Sequence, residues 1–105
     1  MVVLYSINID MKVGCDIITV ARFTDWTDSH VRRIFKNEVY EQWVSRNRNI
    51  EYLAGRWALK EAVYKCCGEL ENITNDLQGK PNSKHCSVSL SHDNGICFAI
   101  AICPK

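Results

Sequence analysis

The run Tyr52–Gly68, reading Tyr-Leu-Ala-Gly-Arg-Trp-Ala-Leu-Lys-Glu-Ala-Val-Tyr-Lys-Cys-Cys-Gly, limits the fold more than any other part of the chain. It is the longest stretch rich in helix formers, and Gly68 is a natural stop just past its end. Residues three and four apart share a helix face, so Leu53, Trp57, Glu61 and Lys65 stack in one row, flanked by Ala54, Ala58 and Ala62. A helix turns such a face toward the core and its charges toward water. Here an acid and a base share the face that carries the tryptophan. Glu61 therefore reads as a carboxylate at the edge of a core, where desolvation is costly unless a cation or hydrogen bonds compensate. The plainer reading is an exposed i, i+4 pair in the favourable order, which stabilises a helix by only about 0.2–0.5 kcal/mol.

The flanking chain supplies strands before and after this helix. Residues 2–10 alternate weakly and read either as a strand or as an extension outside the domain, Met11 being a sensible start. Lys12 to Ile18 is a short β-type run interrupted by Gly14 and Asp16. An aspartate inside a buried strand is unusual; either Asp16 ends the strand and caps the next element, or it is a metal ligand. Val20 to Phe23 reads as a helical turn. Thr27 or Asp28 caps a helix through about Lys36, Asn37 caps a third from Glu38 to Ser45, and Asn49 caps the central one. Past Gly68 the chain turns loop-like, with a short strand near Ile73 and a turn at Gln78-Gly79-Lys80-Pro81. Cys86, Val88 and Leu90 then alternate with serines. Asp93-Asn94-Gly95 is a strong hairpin signal, because Asn-Gly tolerates the positive φ angles of a type I′ turn. Ile96 to Cys103 is apolar on both faces and so belongs at the centre of a sheet. The whole reads as α+β: an N-terminal strand, three to four helices and a small antiparallel sheet.

Composition narrows the function classes. The length of 105 residues suits a single domain, expected to span 1–105, with 47% hydrophobic and 24% charged residues as in ordinary soluble domains. A net charge of +1 excludes a general polyanion-binding surface and with it a nucleic-acid role. Between Arg22 and Lys60, eight basic residues oppose five acidic ones, which suits an acidic protein or a phosphate-bearing ligand. No segment is long enough to span a bilayer, and the N-terminus lacks a signal-peptide pattern. A cytoplasmic location is expected, with the thiols of Cys15, Cys66, Cys67, Cys86, Cys97 and Cys103 reduced and behaving as small buried hydrophobes. The C-x2-C spacing of a structural zinc site is absent, and Cys66-Cys67 with His85-Cys86 is the one loose cluster.

Three stretches stand together: Gly14-Cys15-Asp16-Ile17 with Arg22, Arg56-Trp57-Ala58-Leu59-Lys60-Glu61-Ala62 with Lys65, and Val88-Ser89-Leu90-Ser91-His92. They resemble the motifs of the holo-acyl-carrier-protein synthase family of 4′-phosphopantetheinyl transferases, in its short single-domain type. Gly14, Asp16 and Arg22 fit its G-x-D…R motif. Trp57, Lys60, Glu61, Ala62 and Lys65 fit its [FW]-x-x-K-E-A-x-x-K helix. Arg33-Ile34-Phe35 with Glu38, Tyr52 to Arg56, Asn75-Asp76 and Gly79-Lys80-Pro81 come in the family's order, so the resemblance runs from about Met11 to the C-terminus.

The resemblance implies magnesium-dependent transfer of 4′-phosphopantetheine from coenzyme A to a serine of apo-acyl carrier protein, releasing adenosine 3′,5′-bisphosphate. It assigns Asp16 and Glu61 as magnesium ligands, with manganese as a substitute, and Lys65 to the pyrophosphate; these three form the catalytic set. It places Arg56, Lys80 and His92 around the nucleotide and sets Arg22, with Arg32 and Arg33, against an acidic helix of the carrier protein. It implies a homotrimer with sites between subunits, and fatty-acid synthesis as the setting. The residue chemistry agrees, since magnesium takes hard oxygen ligands, one or two of them carboxylates. The general base is Glu61, Asp16 or a metal-bound water. A non-catalytic carrier-protein-binding module of the same fold is the alternative. Three features depart from the pattern: Thr19 stands where the family often has a glutamate, the loop from Gly68 to Ile73 is short, and the cysteines read as packing substitutions.

Overall fold

The computed structural model describes residues 10–105. Apart from Asp10, the stretch read as a strand or an extension lies outside the described residues. In chain order the elements are β1 (Met11–Thr19), a 3-10 turn (Val20–Phe23), α1 (Asp28–Ser45), α2 (Ile50–Cys67), β2 (Thr74–Asn75), β3 (Pro81–Asn82), β4 (Ser87–Asp93) and β5 (Ile96–Pro104). The class is α+β. The main sheet is antiparallel in the order β1-β5-β4, so the doubly apolar strand is central; β2 and β3 form a separate two-stranded ribbon.

Local chemistry accounts for the boundaries. The Thr27 hydroxyl accepts from the His30 N–H, and the Asn49 side chain accepts from the Glu51 N–H at 2.9 Å, each satisfying an orphan donor of a first helical turn. Gly68 ends α2 in the left-handed region at φ 77°, and its N–H donates to the Tyr64 carbonyl at 2.8 Å. Asn94 and Gly95 both have positive φ, 55° and 77°, and close the β4–β5 hairpin as a type I′ turn requires. Two expectations need correction. The structure has two α-helices and a 3-10 turn rather than three or four full helices. The second and third expected helices are one element whose backbone leaves helical geometry at Lys36 (φ 64°, ψ −176°), the boundary that Asn37 signalled. Nor does Asp16 end its strand: β1 continues through Ile17 and Ile18 to Thr19, paired residue by residue with β5.

The core lies between one face of the sheet and α2, with α1 packed outside. Ile18, Cys97, Ala99, Ala101 and Cys103 of the sheet meet Leu53, Ala58, Leu59, Ala62 and Cys66 of α2. Small residues dominate the sheet side because the helix lies close to it. Phe23, Trp26 and Phe35 surround the Trp57 ring with centroids 6.1–6.3 Å away, which ties the turn and α1 to α2. Fully burying each large apolar side chain stabilises the fold by about 1.5–3 kcal/mol. No helix among the described residues is long and apolar enough to cross a membrane.

Candidate active site

Alternation along β1 turns Lys12, Gly14, Asp16 and Ile18 toward α2 and leaves Met11, Val13, Cys15 and Ile17 on the other face. Gly14 sits where strand and helix touch: a Cβ there would lie 2.2 Å from the Ala62 carbonyl oxygen and 2.5 Å from the Cys66 nitrogen. The glycine of the G-x-D motif therefore serves close approach of two backbones rather than a turn. That approach brings the next inward residue, Asp16, against the last turns of α2. Its Oδ1 accepts from Lys65 Nζ at 2.9 Å, with the aspartate side chain 14% exposed and the lysine 52%. The hydrogen bond and then the charge of Asp16 hold the Lys65 ammonium above the usual lysine range, and Glu61 adds to the same field.

Glu61 lies one turn before Lys65, half-buried, and makes no side-chain hydrogen bond or ion pair among the described residues. The row grades from buried Leu53 through half-buried Trp57 and Glu61 to exposed Lys65, so Glu61 stands at the core's rim. Neighbouring Lys60 is a packing lysine. Its ammonium bonds the Ile34 carbonyl at 3.3 Å and Asn72 Oδ1 at 3.4 Å, and burial lowers its pKa. The exposed Arg22 guanidinium lies 5.5 Å from the Trp57 ring centroid, beside the Trp57–Glu61 row. Arg32 and Arg33 are exposed on the first half of α1, and Arg32 covers the Tyr40 ring at 4.1 Å.

A cleft of about 220 Å³ opens at the other end of α2, between its first turns and the β4–β5 hairpin. Arg46, Tyr52, Arg56 and His92 line it. His92 Nδ1 is 3.3 Å from Glu51 Oε1. Arg56 is 4% exposed; its Nη1 donates to the Ile73 carbonyl at 3.2 Å and to Asn75 Oδ1 at 2.7 Å. Burial lowers the Arg56 pKa, while Tyr52, 4.8 Å away under the guanidinium, opposes the shift. Buried Arg56 Nε has no protein partner among the described residues. Arg56 thus anchors the loop after α2 as well as lining the cleft. Lys80 lies apart, exposed beside the β2–β3 turn, where its N–H bonds Asp76 Oδ1. Arg46 and Tyr52 were missed as site candidates. The signal lay in helical spacing, since Tyr52 and Arg56 share a face; nothing local marks Arg46.

Two predicted groups therefore form, Asp16–Glu61–Lys65 and Arg56–His92, while Lys80 joins neither in one copy of the chain. At about 100° per residue, Arg56 and Lys65 emerge on opposite sides of α2, roughly 13 Å apart along its axis. The donor set of the first group suits a hard cation: two carboxylates, one largely shielded from water, with no thiol or imidazole between them. A lysine beside them suits a phosphate.

The chain is similar to known proteins along most of its length. Residues 12–102 match the 4′-phosphopantetheinyl transferase superfamily. The chain is 29% identical over 93 residues to a holo-[acyl-carrier-protein] synthase of Mycoplasma mobile, covering 86% of each chain. A protein of the same name from Campylobacter jejuni is 32% identical over 114 residues, covering 88% of this chain and 96% of its own. A crystal structure of a holo-(acyl-carrier-protein) synthase from Bacillus anthracis in complex with CoA (3′,5′-ADP) superposes with a TM-score of 0.69 at 28% identity, covering 90% of this chain and 96% of that one. With its Gly14-x-Asp16 strand docked on the Lys60-Glu61-Ala62 helix, the chain belongs to the holo-acyl-carrier-protein synthase family of the 4′-phosphopantetheinyl transferase superfamily.

Proposed function

We propose that this protein transfers 4′-phosphopantetheine from coenzyme A to a serine of apo-acyl carrier protein, with adenosine 3′,5′-bisphosphate as the leaving group. The observation that carries the reading is the Asp16–Lys65 contact with Glu61 one turn away. The serine oxygen bonds to the phosphorus that carries pantetheine, and the bond from that phosphorus to the bridging oxygen breaks. The catalytic residues are Asp16, Glu61 and Lys65. Lys65 stays cationic at neutral pH and stabilises the pyrophosphate charge as the bond breaks. Glu61, with no protein hydrogen bond or ion pair among the described residues, is the carboxylate we assign to accept the serine proton. Asp16 and Glu61 would hold magnesium, or manganese in its place, which when bound neutralises phosphate charge at the reacting end. Arg56 and His92 contribute the nucleotide side together with Lys80, while Arg22, Arg32 and Arg33 receive an acidic helix of the carrier.

The opposed directions of Arg56 and Lys65 favour a site assembled from two copies. A face for such assembly exists. Val13, Ile17, Ile96 and Phe98, 40–66% exposed, lie on the side of the sheet away from α2, with no helix over them among the described residues. Contiguous apolar surface of this kind marks an interface, and we assign it to a homotrimer. The chain works as one domain over residues 1–105, in the cytoplasm, in fatty-acid synthesis.

Mass spectrometry of an apo-acyl carrier protein after incubation with the protein, coenzyme A and magnesium tests the reaction. The expected result is a phosphopantetheine-sized mass gain that EDTA abolishes. Carrier binding without any mass gain, across several carrier proteins, refutes the enzyme reading in favour of a binding module.

A further inference from the structure

Four of the six cysteines converge where α2 ends over the sheet, away from the Arg56–His92 cleft. Cys66 and Cys67 close α2, Cys86 leads into β4, and Cys103 lies near the end of β5. Cys66 Sγ is 3.4 Å from Cys103 Sγ, and Cys67 Sγ is 3.8 Å from Cys86 Sγ. The sulfurs of Cys66, Cys86 and Cys103 all lie within 4.8 Å of one another. Cys66 and Cys103 are 6% and 5% exposed, Cys86 is half-buried, and all are free thiols. Cys15, on the outward face of the sheet, and Cys97, whose thiol points to the Glu51 carbonyl, take no part.

Small buried hydrophobes need no such convergence, because alanine would fill the same positions. A tetrahedral thiolate site with metal–sulfur bonds of about 2.3 Å separates its sulfurs by about 3.8 Å. The two close pairs are already near that spacing. The ligands sit on a helix end and two strands of one sheet, which fixes their positions before an ion arrives. The neighbouring His85 is engaged elsewhere, its Nδ1 3.0 Å from Glu71 Oε2, so the donor set is sulfur alone. All-sulfur sites select soft, closed-shell ions over magnesium.

We propose that Cys66, Cys86 and Cys103 form a binding site for a thiophilic ion, zinc or copper(I), separate from the carboxylate pair. Burial and then the surrounding thiols push the Cys86 thiol up, so that thiol keeps its proton in the metal-free protein. Coordination makes each ligating thiol a thiolate and sends its proton to solvent. The bound ion clamps the end of α2 to β4 and β5, one residue past Lys65.

The test uses tag-free full-length protein, stripped of metal with a chelator under reducing conditions and then titrated. Cadmium serves as a spectroscopic stand-in for zinc, read by its sulfur-to-metal charge-transfer absorbance; zinc and copper(I) are read by native mass spectrometry. One ion per chain is expected, and whichever ion survives competition with a calibrated chelator identifies the metal. Replacing Cys86 by serine or, separately, by alanine is expected to weaken binding at least about a hundredfold, more than loss of an outer-shell partner does. Cys67→Ser, whose sulfur touches Cys86 but lies outside the group of three, weakens it less than the Cys86 variants do, and Cys15→Ser leaves it unchanged. Absence of stoichiometric binding to the wild-type protein overturns the proposal. So does uptake that folded Cys86 variants retain in full.

Discussion

Replacing Gly14 by alanine tests the strand–helix contact on which the carboxylate pair depends. The new Cβ would stand 2.2 Å from the Ala62 oxygen and 2.5 Å from the Cys66 nitrogen, where ordinary contact is 3.4–4 Å. Both atoms are backbone, so no rotamer relieves the clash, and β1 must retreat from α2 by about 1 Å. Overpacking costs about 1–3 kcal/mol and sometimes more; with two backbone atoms involved we expect about 3 kcal/mol. That corresponds to a drop in Tm of roughly 12–24 °C for a domain of this size. Asp16 is the next inward residue, so the retreat also opens its 2.9 Å contact with Lys65. A displacement of about 1 Å in a reacting constellation costs about a hundredfold in rate. Urea denaturation gives the first number and carrier-protein modification the second. Gly55→Ala is the control: its Cβ meets only the Leu90 Cδ2 tip at 2.8 Å, a side chain that can turn away, and its loss stays under about 1 kcal/mol because alanine is the better helix former. A Gly14→Ala protein within about 0.5 kcal/mol of wild type would refute the close-approach account.

Other expectations arise from the same geometry. Asp16→Asn removes the carboxylate charge that faces Lys65 while keeping the shape; it should remain folded in circular dichroism yet lose about a hundred- to a thousandfold in turnover. Arg56→Met leaves the Ile73 carbonyl and Asn75 without their donor, so it should destabilise the protein by about 1–3 kcal/mol in urea as well as weaken coenzyme A binding. Phe98→Glu puts a charge into the apolar sheet face and, on the proposed trimer, should lower the mass seen by light scattering to that of a monomer; an unchanged mass would count against that assembly. Glu71 supplies a pH dependence. Burial raises its pKa, but the Lys84 N–H, His85 and Ser83 outweigh that and hold the folded value below the usual carboxylate range. A depressed folded pKa means that its stabilisation is present above the unfolded value and is lost as pH falls through the folded one. Wild type should therefore lose stability as pH falls below the ordinary carboxylate range, and Glu71→Gln should show a flatter acid limb in the same titration.

Much of this architecture was legible in local chemistry. Asn49 and Gly68 mark the ends of α2 because a cap and a left-handed stop act on their own turn alone. Asn94-Gly95 marks the hairpin because the turn type depends on the φ angles of those two residues. The run Ile96–Cys103, apolar on both faces, marks the central strand. The spacing of Trp57, Glu61 and Lys65 placed acid and base on one row, since helical periodicity is fixed by the backbone. Membership of the family was legible too, because its motifs are short and keep their order.

Tertiary structure decided what depends on contacts between distant segments. Asp16 and Lys65 are 49 positions apart, and only the register of β1 on α2, set by the missing side chain of Gly14, brings them to 2.9 Å. Local propensity left open whether Asp16 ends its strand; pairing with β5 carries the strand past it, because ladder hydrogen bonds outweigh the poor strand propensity of one aspartate. The family resemblance assigns Arg56 to the nucleotide, whereas the hydrogen bonds the fold gives it are to the Ile73 carbonyl and Asn75 of the loop after α2. The cysteines read as packing residues with one loose cluster, Cys66-Cys67 with His85-Cys86, having no metal-ligand spacing along the chain. Four of them meet because a helix end and two strands converge over them, an arrangement that spacing within one segment cannot encode.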